Sequence, residues 1–90
     1  MQERYGKWAL VTGASSGIGR SLARGLAARG LNVVLVSDQQ ADLDAVASDI
    51  RATHAVEARV CCVDLARPDM TDVLRAATSD IEVSVLVNNA

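Results

Sequence analysis

Four short, mostly apolar runs punctuate the chain: WALVT at 8–12, NVVLVS at 32–37, EARVCCV at 57–63 and VSVLV at 83–87. Runs of this length and character suit strands covered on both faces in a parallel sheet. Each of the first three is followed by a stretch with helical periodicity and connections of only a few residues. Strand alternating with helix predicts an α/β fold in which right-handed crossovers join parallel strands, in the order β-α-β-α-β-α-β, the first part of a doubly wound sheet.

The intervening stretches carry their own signals. Ile18, Leu22 and Leu26 recur at a spacing of four while Arg20, Arg24 and Arg29 lie off that stripe. The spacing predicts an amphipathic helix from Gly17 to about Arg29 with the Ile/Leu stripe as its apolar face, stopped by Gly30. Leu43, Val46, Ala47 and Ile50 predict a second helix, and Met70, Val73, Leu74 and Ala77 a third with Pro68 in its first turn. With no Phe, one Trp and one Tyr, the core must be built from Ala, Val, Leu and Ile. Ninety residues make one domain at most with a thin core, and no linker or repeat divides 1–90.

The exit of the first strand is the most informative segment. In LVTGASSGIG, Gly13, Gly17 and Gly19 stand as G-x-x-x-G-x-G between strand and helix. Gly13 can take the positive φ of a sharp turn, Gly17 removes a side chain where a pyrophosphate approaches the backbone, and Gly19 lets helix and strand pack closely. The helix N-terminus then offers amides and a partial positive charge to phosphates, with Ser15 and Ser16 adding hydroxyls. A nucleoside-triphosphate loop is disfavoured, because no Lys-Ser or Lys-Thr pair follows Gly19. Dinucleotide binding in a Rossmann-type sheet is the favoured reading, and on the glycines alone a methyltransferase-type domain stays open.

TGASSGIG, then VDL at 63–65, then LVNNA at 86–90 together resemble the N-terminal motifs of the short-chain dehydrogenase/reductase family, TGxxxGxG, an Asp after the third strand, and NNAG. The opening RYGKWALVTGASSGIG is similar to its hydroxysteroid and ketoacyl reductase branch. The resemblance implies an oxidoreductase that passes hydride between a nicotinamide cofactor and an alcohol or carbonyl. It also implies that Gly13, Ser15, Ser16, Gly17, Ile18 and Gly19 form the pyrophosphate and ribose loop. By the same resemblance Asp64 and Leu65 would flank the adenine, Asn88 would brace the central strands, and Asn89 and Ala90 would pass the adenosine ribose.

Cofactor choice in this fold is made at the end of the second strand. The family's usual acidic position falls on Ser37, and the position often held by Arg in NADP enzymes falls on Asp38. A carboxylate at 38 beside a 2′-phosphate costs about 1 kcal/mol in water and several times that when shielded. No Lys or Arg at 15 or 16 compensates, so the cofactor is expected to be NAD(P) with a lean toward NAD. The alternative role for Asp38 is to cap the helix beginning near Gln39.

The resemblance covers the whole chain but only about the first third of such an enzyme. The family's catalytic Ser, Tyr and Lys, the Lys four residues after the Tyr, lie beyond NNAG. Tyr5-Gly6-Lys7 has the wrong spacing, so residues 1–90 are expected to be an incomplete dinucleotide-binding segment without activity of its own, and the full-length parent a homo-oligomer. The alternative is a stand-alone noncatalytic dinucleotide-binding or interaction module. Either way, VSVLV would expose an apolar strand edge without charge, a surface expected to self-associate.

Remaining features narrow the setting. Nine basic residues against eleven acidic ones are scattered without a stripe, which disfavours nucleic acid. No run approaches the roughly 18 apolar residues of a membrane span, and MQERYGKW lacks a signal core, so the expectation is a soluble, cytoplasmic chain. Adjacent Cys61 and Cys62 point to opposite faces of a strand, which predicts two small buried thiols rather than a disulfide or shared metal site. His54, the single histidine, is expected as a polar residue near a helix end.

Overall fold

A computed structural model describes residues 7–89, so Tyr5 and Ala90 lie outside the described residues. The elements follow the expected order: β1 (Trp8–Thr12), α1 (Gly17–Ala28), β2 (Asn32–Ser37), α2 (Gln40–Thr53), β3 (Ala58–Cys62), α3 (Met70–Ala77) and β4 (Val83–Val87). The strands are all parallel and lie in the order β3-β2-β1-β4. Every residue of β1 and β2 is buried, as their unbroken apolar runs require.

Two cores form on opposite faces of the sheet. On one, Ala9, Val11, Val33 and Leu35 pack with Ala23 and Ala27 of α1 and Leu43, Val46, Ala47 and Ile50 of α2. On the other, Trp8, Leu10, Val34, Val36 and Val63 meet Met70, Val73 and Leu74 of α3. The layering follows from crossover handedness. Stepping from β1 to β2 to β3 runs one way along the sheet and puts α1 and α2 on one face; the return to β4 runs the other way and puts α3 on the opposite face. Arg59 of β3 lies over the Trp8 ring at 4.9 Å, bonds both Asp80 carboxylate oxygens at 2.8 and 3.1 Å, and donates to the Ala77 carbonyl at the end of α3.

Helix α1 departs from the expected orientation. Its buried residues are Gly19, Ala23 and Ala27, whereas Ile18 is 69% and Leu22 40% exposed, and Leu26 is only partly buried. The reason lies at its first turn. A methyl group at Gly19 would run into the Gly13 carbonyl and the Asn89 side chain, so the helix sits against the loop at a distance only the small-residue face tolerates. The helix stops as the sequence suggests. Gly30 takes φ +91°, and the amides of Gly30 and Leu31 return to the carbonyls of Ala27 and Leu26 at 2.9 and 3.2 Å.

Two smaller expectations need correction. Cys61 is half-buried and Cys62 is exposed, both free thiols, on β3 at the edge of the sheet, where neighbouring elements cover a strand less than at the centre. Burial pushes the Cys61 thiol up. Pro68 falls in the turn ahead of α3 rather than in its first turn, since two successive turns, Arg67 N–H to Asp64 and Met70 N–H to Arg67, precede the helix. His54 is the C-cap residue of α2, as expected. No described helix is long and apolar enough to cross a membrane.

Candidate functional site

At the carboxyl ends of β1, β2 and β4 a cleft of about 480 Å³ is lined by Gly13, Ser15, Ser16, Ser37, Asp38, Gln39, Asp64, Leu65 and Asn89. The cleft borders the place where strand order reverses, since β2 and β4 flank β1 on opposite sides. Its size falls in the range of small-molecule sites.

The loop after β1 is fixed from both sides. Gly13 has φ +64°, and a Cβ there would stand 2.6 Å from the Asn89 carbonyl oxygen, so neither the turn nor the approach of β4 admits a side chain. Ala14 N–H bonds the Val36 carbonyl at 3.1 Å and holds the loop on β2. Gly17 has φ +60° with no atom within 4 Å of where a Cβ would be, leaving its backbone open. Ser16 is the N-cap of α1 in extended conformation with no side-chain cap, and no acidic residue occupies the first turn. A helix start with an uncapped amide turn and no competing carboxylate suits an anionic ligand.

Thr12 ties the other wall. Its hydroxyl accepts from the Asn89 N–H at 2.8 Å and donates to Asn88 Oδ1 at 3.1 Å, with the Val87 carbonyl at 3.4 Å. Asn88 thus braces the junction of β1 and β4. At the end of β2, Ser37 Oγ accepts from the Gln39 N–H at 3.0 Å and donates to Ser15 Oγ at 2.8 Å. Asp38 does not cap α2: its carboxylate accepts from the Gln39 side chain at 3.1 Å and is exposed. Asp64 Oδ1 accepts from the Ala66 N–H at 2.9 Å, closing a turn beside the half-buried Leu65. Among the described residues the lining therefore holds two carboxylates and no Lys or Arg.

Of the residues singled out from sequence, Gly13, Ser15, Ser16, Ser37, Asp38, Asp64, Leu65 and Asn89 share this cleft. Gly17, Ile18 and Gly19 follow directly in the first turn of α1 without lining it, Ile18 being 69% exposed there, and Ala90 lies outside the described residues. Two contributors went unassigned. Gln39 lines the cleft as N-cap of α2, a position its uncharged, non-capping side chain does not advertise. Thr12 both ends β1 and opens TGASSGIG, and its hydroxyl directly before the glycine turn is the signal for its tie to β4.

Parallel strands alternating with helices, a reversal of strand order and a glycine loop at the crevice define a Rossmann-type fold. Residues 7–90 match the family model for short chain dehydrogenases, and the chain belongs to that family. Among curated relatives it is 44% identical over 84 residues to very-long-chain 3-oxoacyl-CoA reductase of Macaca fascicularis, covering 93% of this chain and 27% of that one. It is 41% identical over 88 residues to inactive hydroxysteroid dehydrogenase-like protein 1 of Pongo abelii, covering 97% and 27%. Among solved structures, L-sorbose reductase from Gluconobacter frateurii, complexed with NADPH and L-sorbose, superposes with a TM-score of 0.89 at 36% identity, over 94% of this chain and 33% of that one. The chain thus spans about a quarter to a third of the length of these relatives.

Proposed function

We propose that the cleft binds a nicotinamide dinucleotide and that the chain is the cofactor-binding part of an oxidoreductase acting on an alcohol or carbonyl. The observation that carries this reading is the glycine loop itself: Gly13 locked between a positive φ and Asn89, beside an uncapped first turn of α1, in the crevice where strand order reverses. Ser16, Gly17 and the first amides of α1 would hold the pyrophosphate. Ser15 and Asp38 would meet the adenosine ribose with Ser37 buried behind Ser15, Asp64 and Leu65 the adenine, and Asn89 with Ala90 the same ribose from the other side. When bound, the cofactor supplies or accepts the hydride. The family's Tyr-x-x-x-Lys pattern does not occur in these 90 residues, so the residues here bear on cofactor binding.

A preference for NAD(H) follows from charge. Among the described residues, Asp38 and Asp64 line the cleft with no cation to receive a 2′-phosphate. Titration with NADH and NADPH, followed by nucleotide fluorescence, tests both parts: tight NADH binding is expected, tighter NADPH binding removes the preference, and binding of neither removes the reading. A noncatalytic module is favoured by one finding, the similarity to a relative whose name calls it inactive. Intact mass of the protein from its source separates the two, since a value well above 9.5 kDa supports the enzyme.

Self-association belongs to the same proposal. β4 is an edge strand without charge, and Leu86 on it is 69% exposed. The 90-residue chain should pair this edge with another copy, which light scattering at rising concentration would register; a monomer throughout would refute it. The setting that suits this chain is the cytoplasm, with the full-length parent a homo-oligomer.

A further inference from the structure

Ser37 is 4% exposed, and its hydroxyl sits in a directed chain. The Gln39 backbone N–H donates to Ser37 Oγ, and Ser37 Oγ lies 2.8 Å from Ser15 Oγ. Burial sets the direction of the second bond. A buried hydroxyl proton without an acceptor is costly, and among the described residues Ser15 Oγ is the oxygen within reach. Ser15 is half-buried and lines the cleft, so its own proton can be met by solvent or ligand. The polarity therefore runs one way, from the start of α2 through Ser37 to Ser15 and out into the cleft.

We propose that Ser37 is a positioning residue that fixes Ser15 as a hydrogen-bond donor into the cleft, where Ser15 recognises an oxygen of the adenosine ribose. This rests on the dinucleotide reading of the same cleft. Asp38, an acceptor only, lines that cleft beside it. Each hydroxyl of a ribose diol can donate its proton and accept at its oxygen, so an acceptor and a donor side by side suit the pair. Serine at 37 does what an acidic residue there could not. A carboxylate would itself accept the Ser15 proton and withdraw the donor from the cleft.

A double-mutant cycle on NADH affinity, measured by nucleotide fluorescence, tests this. Ser15→Ala and Ser37→Ala should each weaken NADH binding by about threefold to tenfold. The pair together should bind no more weakly than Ser15→Ala alone, because Ser37 acts only through the hydroxyl already removed. A merely structural role for Ser37 would weaken the loop whether or not Ser15 kept its hydroxyl, and additive losses would overturn the proposal. Ser15→Ala alters a half-buried loop residue and serves even if Ser37→Ala fails to fold; wild-type affinity in folded Ser15→Ala would also overturn it. If the unmodified protein binds no NADH, the dinucleotide reading falls, an outcome distinct from a wild-type that binds and variants that bind equally well.

Discussion

Substituting alanine for glycine inside a helix ordinarily stabilises it, by about 0.8–1.0 kcal/mol. Helix α1 contains two interior glycines for which the structure demands opposite outcomes. Gly25 is exposed, and a Cβ there would have no neighbour within 4 Å, so Gly25→Ala should stabilise the 90-residue chain by about 1 kcal/mol. Gly19 is buried, and its Cβ would strike the Gly13 carbonyl, a backbone atom that cannot swing aside. Overpacking of this kind costs roughly 1–3 kcal/mol, more than the propensity gain returns. Urea unfolding followed by circular dichroism and by Trp8, the single tryptophan, gives both signs in one assay. In thermal terms, each kcal/mol should move the midpoint by roughly 4–8 °C for a domain of this size. Since Gly13 also lines the cleft, Gly19→Ala should weaken NADH binding while Gly25→Ala leaves it unchanged. A Gly19→Ala protein as stable as the parent would refute the close seating of α1 on the loop.

Other consequences can be checked separately. Thr12→Val leaves the Asn89 N–H without its acceptor and should cost about 1–3 kcal/mol in urea unfolding, with weaker NADH binding; an unchanged midpoint would count against the tie. Asp38→Arg exchanges repulsion for attraction at a 2′-phosphate and should raise NADPH affinity about tenfold or more, read by the same fluorescence titration. Asp80 is held below the usual carboxylate range, chiefly by its hydrogen bonds from Arg59. A depressed folded pKa stabilises above the unfolded value of about 3.9 and loses that effect as pH falls through the folded value. Wild type should therefore exceed Asp80→Asn in stability near neutral pH, with the gap closing below about pH 4; a gap that persists in acid would contradict the pairing.

Strand and helix order was legible because β1 and β2 are buried throughout, which favours runs that are apolar but for hydrogen-bonded polar residues at their ends. Helix α2 was legible too, since Leu43, Val46, Ala47 and Ile50 are the residues it buries. Helix α1 was misread because hydrophobicity ranks Ile18 and Leu22 above Gly19 and Ala23, whereas backbone proximity to Gly13 selects the smaller residues. That proximity is a tertiary fact with no local signature. The same holds at Ser37. Its place at the end of β2 was legible from the spacing, but its link to Ser15 depends on the loop folding back across β2, which no periodicity announces. The cysteines were misjudged because an edge strand and a central one look alike in sequence.

The Thr12 tie also bears on how the chain folds. It joins residues 77 positions apart, and with the parallel pairing of β1 and β4 it closes nearly the whole chain into one loop. Pairings between such distant segments must overcome a large loss of chain entropy before they return any energy, so this junction should form late. Until it does, Gly13 has no Asn89 beside it and the cleft lacks a wall. A ligand held there would bind only chains that have completed their last and longest contact, and would draw the folding equilibrium toward them in proportion to its concentration over its dissociation constant.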